Sequence, residues 1–146
     1  MTRQEAQGED CVVSQFSLKS DISELKVLAE RIECFGEENS ISPKTVFELN
    51  LVLDELFTNL VNYGCHRESH SFDITILLSG GILRIYIEDD GKQFNPLRMA
   101  EPEISCDCME RKIGGLGIHF MRKMMDEVEY AWENGKNKLK LTKNIQ

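Results

Sequence analysis

Three short segments in fixed order constrain this chain most: Glu55-Leu56-Phe57-Thr58-Asn59, then Asp89-Asp90-Gly91-Lys92-Gln93-Phe94-Asn95-Pro96, then Gly114-Gly115-Leu116-Gly117-Ile118. The first lies within a helical apolar pattern, the second closes a strand pattern, and the third opens a further helix. A fold that uses them together has to bring a helix flank, a strand end and a helix amino terminus to one place.

The runs between them supply the elements. Val12 to Leu18 alternates as a strand, while residues 1–10 are polar and are expected to be a disordered N-terminal tail ahead of a single domain over 11–146. Asp21 with Glu24 has the spacing of a capping box, and Ile22, Leu25, Leu28, Ala29, Ile32 and Phe35 recur at helical spacing up to Gly36, the expected stop. Ser42-Pro43 is an N-cap followed by proline at the first helical position. Val46, Leu49, Leu53, Leu56, Leu60 and Tyr63 then predict a helix from Pro43 to Tyr63, stopped by Gly64.

Phe72–Leu78 and Ile82–Glu88 flank Ser79-Gly80-Gly81 and predict a hairpin; Val128–Trp132 and Lys138–Leu141 flank Asn134-Gly135 and predict a second. The stretch from Asp89 to Ile113 is polar and without period, and its length marks it as a lid at about 92–113. A helix from Gly115-Leu116-Gly117 to Met125 follows it. The order β-α-α-β-β-lid-α-β-β predicts an α+β fold: a two-layer α/β sandwich, its mixed, mainly antiparallel sheet carrying helices on one face.

The length of 146 residues suits one domain with one substantial core. An excess of 25 acidic over 17 basic residues, net charge −8, argues against nucleic acid as a partner, because phosphate affinity is built from clustered Lys and Arg. No run of about 18 apolar residues and no signal-like amino terminus is present, so no membrane span and a cytoplasmic location are expected. Cys11, Cys34, Cys65, Cys106 and Cys108 form no even framework and are expected as thiols; Cys106 and Cys108 lack a second pair at zinc spacing. His66 and His70 stand four apart but follow the helix stop, and surface histidines are the plainer account of them.

Glu55 and Asn59 share one helix face, with Asn62 close to it one turn on. The Asn59 amide oxygen suits magnesium, which takes few protein oxygens besides substrate phosphates, and Glu55 suits a proton acceptor. A solvated face for Glu55 and Asp54, with helix-end hydrogen bonds for Asn59 and Asn62, is the plainer account of these residues taken alone. Asp89 can accept from an exocyclic amine such as adenine N6, and Gly91 permits close approach to a ring; an ordinary Asp-Gly turn is the alternative. Phe94 and Pro96 are placed at the root of the lid. Gly114-Gly115-Leu116-Gly117 lets amides converge on phosphate at a helix amino terminus, and Arg111 and Lys112 are within reach of a terminal phosphate. A plain glycine-rich turn into a helix fits as well.

Taken together, the segments resemble the GHKL ATPase superfamily over nearly the whole chain: Glu55-x-x-x-Asn59 is similar to its N box, Asp89-x-Gly91 to its first glycine box and Gly115-x-Gly117 to its second. Asp89 to Pro96 and Gly114 to Ile118 most resemble the bacterial anti-sigma factor serine kinases. That resemblance implies a Bergerat-type site for ATP and Mg2+, with Glu55 as catalytic base, Asn59 as the magnesium ligand, Asp89 reading adenine, Gly91 near the ring, and Gly115 and Gly117 at the phosphates. It also implies transfer of the γ-phosphoryl group to a serine of a STAS-domain anti-anti-sigma partner, alternating with capture of a sigma factor, and a homodimer. Two positions depart from the pattern. Gln93 stands where many superfamily members have a second glycine, and Ile113-Gly114 stand where some anti-sigma kinases place an arginine, leaving Arg111 or Lys112 to substitute. The alternative function is a nucleotide-gated module that sequesters a partner without catalysis.

Overall fold

Phe72, Ile74 and Ile76 alternate with more polar residues, as do Leu83, Ile85 and Ile87, and this period of two puts all of them on one buried sheet face. Leu139 and Leu141 extend the same face. The computed structural model describes residues 2–6, 9–64, 70–100 and 121–146. Its strands are β1 (Thr2–Ala6), β2 (Glu9–Lys19), β3 (Ser71–Ser79), β4 (Ile82–Asp89), β5 (Glu127–Glu133) and β6 (Lys136–Asn144), forming one sheet in the order β1-β2-β3-β4-β6-β5.

Every pairing among these strands is antiparallel, so the parallel component allowed for in a mixed sheet is not found among the described residues. Both expected hairpins form. Gly80 and Gly81 (φ 58° and 75°) and Asn134 and Gly135 (φ 54° and 73°) supply the paired positive φ angles that a two-residue turn needs to match strand twist.

Between β2 and β3 the chain forms α1 (Leu25–Glu38) and α2 (Pro43–Tyr63). The α2 boundaries are those the sequence predicts: the Ser42 hydroxyl accepts from the Thr45 amide, and the Gly64 amide donates to the Leu60 carbonyl at 3.0 Å. Leu28, Ile32 and Phe35 of α1 and Leu49, Leu53, Leu56, Phe57 and Leu60 of α2 are buried in one cluster with the inner sheet residues. Each such large side chain contributes about 1.5–3 kcal/mol on burial.

Three local expectations are corrected. Residues 1–10 were expected to be disordered, yet Thr2–Ala6 pairs with Glu9–Val13, because an edge strand is held by backbone hydrogen bonds and needs no apolar composition. Gly36 does not stop α1, which continues to Glu38. A Cβ there would lie 2.5 Å from Val46 Cγ2, so the glycine lets α1 and α2 approach. The Asp21–Glu24 box does not close on itself: Asp21 accepts from the Ser23 amide, whereas the Glu24 carboxylate takes the Lys19 amide at the end of β2.

Candidate functional site

The end of β4 and the turn after it are held by a buried polar cluster. Asp89 stands on the inner sheet face, at the strand end, and is only 8% exposed. Its Oδ2 accepts from the Gly91 amide at 3.0 Å, which makes the tight Asp-Gly turn, and lies 2.9 Å from His70 Nε2 and 3.4 Å from Asn137 Nδ2. Asn137, directly opposite Asp89 on β6, clamps the outgoing loop: its Nδ2 donates to the Lys92 carbonyl at 2.9 Å, and its Oδ1 accepts from the Phe94 amide and the Tyr130 hydroxyl. The Tyr130 hydroxyl is pushed above its ordinary pKa by burial, opposed by its contact with the Phe94 backbone, and raised further by the Asp89 charge; it therefore remains a donor at neutral pH.

The loop then folds over the end of α2. Phe94 packs against the core, its ring 3.5 Å from where a Cβ would stand at Gly64, and Pro96 is buried at the start of a short 3-10 turn, Pro96–Ala100. Phe94 and Pro96 are thus packed where the sequence places the root of a lid, and residues 101–113 of that segment lie outside the described residues.

About one turn back from the end of α2, Asn59 is 1% exposed and its Nδ2 has no hydrogen-bond partner among the described residues. A buried amide in that state costs about 1–3 kcal/mol. Glu55, one turn earlier, is half-buried, and desolvation raises its carboxyl pKa. The nearby Asn59 amide opposes that rise, and the Asp54 charge adds to it. Asn62 lies exposed in the last turn.

The helix and the strand end are linked through rings. Phe57 meets Phe72 edge-on with centroids 5.6 Å apart, and Phe72 meets His70 edge-on at 5.1 Å. Arg111, Lys112, Gly114, Gly115, Leu116 and Gly117 lie outside the described residues, as do Cys65, His66, Cys106 and Cys108.

Similarity to known proteins agrees with this geometry. The histidine kinase-like ATPase domain pattern matches residues 18–143, nearly the whole chain. The chain belongs to the histidine kinase-like ATPase domain family. Among its curated relatives are the Anti-sigma F factors of Thermoanaerobacter sp. (strain X514) and Thermoanaerobacter pseudethanolicus (strain ATCC 33223 / 39E), each 24% identical over 115 residues, covering 78% of this chain and 80% of the relative. The crystal structure of the RsbU and RsbW domains of Rv1364c from Mycobacterium tuberculosis superposes with a TM-score of 0.66 at 13% identity, covering 92% of this chain and 32% of that longer one. This chain thus spans about a third of that protein, and the likeness is one of fold. The α+β expectation and the resemblance to GHKL anti-sigma regulators are met by this family membership and these relatives.

Two residues of the cluster escape the sequence reading. His70, expected at the surface, is 4% exposed and bonded to Asp89. The overlooked signal was its position immediately before an alternating strand, two residues from the buried Phe72 and so on the same face. Asn137 carries a weaker signal: it falls at an inward position of β6, where a short polar residue calls for a buried partner. Among the described residues no helix is long and apolar enough to cross a membrane.

Proposed function

We propose that this protein is an ATP-dependent serine kinase of the anti-sigma type, transferring the γ-phosphoryl group of ATP to a serine of a STAS-domain anti-anti-sigma partner and binding a sigma factor again once that partner is phosphorylated. The observation that carries the reading is the Glu55–Asn59 pair: a half-buried carboxylate of raised pKa one helical turn from a buried amide with an unmet hydrogen-bonding end. Neither feature helps the fold, and both suit a site completed by a ligand.

In this reading Asp89 accepts from the adenine 6-amino group, and Gly91, held in its turn, leaves the ring room to approach. Asn59 is the residue for magnesium. A nitrogen end without a partner fits that group, since a half-turn of the side chain exchanges the nitrogen and oxygen ends of the amide. Magnesium, when bound, supplies charge neutralisation at the phosphates. Glu55 takes the proton of the attacking serine hydroxyl, and its raised pKa brings it nearer to the working pH of a general base. Arg111 or Lys112 and the glycines Gly114, Gly115 and Gly117 are assigned to the phosphates on their sequence pattern alone.

The test is transfer of label from γ-labelled Mg-ATP to a STAS-domain protein of the same organism. Glu55→Gln is expected to lower transfer about 10²–10⁴-fold, the usual contribution of a general base, with ATP affinity kept. ATP binding without transfer by the unaltered protein would move the assignment to a nucleotide-gated binding module.

A further inference from the structure

We infer that His70 is a positioning residue for base recognition: by engaging Asp89 Oδ2 it fixes the carboxylate so that Oδ1 is presented to a purine 6-amino group. This rests on the reading of Asp89 as the adenine acceptor.

A carboxylate oxygen only accepts, so the 2.9 Å approach of His70 Nε2 to Oδ2 requires the hydrogen on Nε2. With the Gly91 amide at 3.0 Å and Asn137 Nδ2 at 3.4 Å, three donors surround Oδ2, while no described donor reaches Oδ1. The three are not equivalent. The Gly91 amide belongs to the same turn as Asp89 and moves with it, and the Asn137 bond is long. His70 stands immediately before a different strand, β3, and is itself anchored: its carbonyl accepts from the Ser20 amide at 2.9 Å, and its ring stands edge-on to Phe72 at an interplanar angle of 86°. Phe72 is in turn fully buried against Phe57 of α2.

The ring therefore acts as a fixed post that stops the carboxylate from rotating about its last torsion. An acceptor oriented before the ligand arrives spares the ordering cost on binding. The same fixed acceptor opposes a 6-keto purine, which presents an acceptor where adenine presents a donor. The ring contacts through Phe72 and Phe57 also make that orientation depend on the helix carrying Glu55 and Asn59.

The experiment compares affinity for Mg-ATP with that for the Mg complex of purine riboside triphosphate, which lacks the 6-amino group, in the unaltered protein, His70→Ala and His70→Gln. Preference for ATP in the unaltered protein is expected to fall about tenfold in His70→Ala, the value of one hydrogen bond to a charged group. Affinity for the deaminated analogue should stay unchanged, and His70→Gln, which keeps an N–H donor, should recover part of the preference. Equal weakening of both nucleotides would mean a structural role only and overturn the inference. So would an undiminished preference for ATP in His70→Ala, or a His70→Gln protein that recovers none of it. Should His70→Ala fail to fold, ring 15N shifts of the unaltered protein decide together with His70→Gln: a hydrogen on Nδ1 in place of Nε2 overturns the proposal. An unaltered protein that binds no nucleotide, or does not prefer ATP, defeats the reading of Asp89 and this inference with it. A preference that survives in His70→Ala defeats the inference alone.

Discussion

The two ends of the candidate site differ in how far the protein completes them by itself. Around Asp89, the polar residues of the cluster hold one another within the fold and leave the carboxylate's Oδ1 open to a ligand: His70, Gly91, Asn137, Tyr130 and the backbone of Lys92 and Phe94 form one connected network. Around Asn59, a buried amide end is left without one and a carboxylate is held at raised pKa. Under the proposed function the Asp89 end would read a base and the Asn59 end would hold phosphate and metal, and a base-reading end gains from being rigid before the ligand arrives, since its task is discrimination. A phosphate and metal end has to exchange charged ligands at each turnover, and groups already satisfied within the protein would compete with them.

One substitution made at both ends breaks or sharpens this contrast. Leucine is close to asparagine in shape and has no polar atoms. Asn59→Leu is expected to weaken Mg-ATP binding by more than about 100-fold, because loss of a direct ligand exceeds the 10–100-fold loss seen for outer-shell partners. The same change should raise stability to unfolding by about 1 kcal/mol or more, since it deletes an unmet buried donor. Gain of stability with loss of binding is the signature of a residue kept for function. A destabilised Asn59→Leu in urea melts would show that the amide already has a structural partner.

Asn137→Leu should behave in the opposite way. It strips partners from the Phe94 amide, the Tyr130 hydroxyl and the Lys92 carbonyl at once, so a loss of about 2–3 kcal/mol is expected in the same melts. The whole of that cost falls on the fold, with nucleotide affinity reduced only as far as the loop after Asp89 loosens. A neutral Asn137→Leu would remove the claim that the base-reading end is pre-built.

The sequence showed the unsatisfied end better than the satisfied one. Glu55 and Asn59 stand out because a polar pair on an otherwise apolar helix violates the pattern around it, and α2 itself has sharp signals in Ser42-Pro43 and Gly64. Asp89 was visible as a strand-ending carboxylate before glycine. Its partners were not: His70 is 19 residues away and Asn137 is 48, and only the antiparallel register that sets Asp89 opposite Asn137 brings them together. Periodicity reports which face a residue occupies, not which strand lies beside it. The same blindness to pairing hid β1, Thr2–Ala6, whose polar residues gave no apolar alternation although their backbone extends the sheet.

The smallest expected effect concerns the charge on Glu55. Burial raises its folded-state pKa above the ordinary 4.5, so between the unfolded and folded values the native state holds the proton more tightly than the unfolded chain does. The native state is therefore favoured below the unfolded value, and this contribution is lost as pH rises through the raised folded value. At neutral pH the carboxylate is a net cost to the fold, discounted for the half of the group that water still screens. Glu55→Gln should therefore be more stable than the unaltered protein at pH 7 by at most about 0.5 kcal/mol, with the difference vanishing in acid. The acid limb of phosphotransfer should move with the same group, falling as pH drops through its raised pKa. Urea melts at several pH values and a pH–rate profile measure the two sides of one titration. A Glu55→Gln protein less stable at neutral pH would mean that the carboxylate is held by a partner, and the two ends of the site would then be built alike.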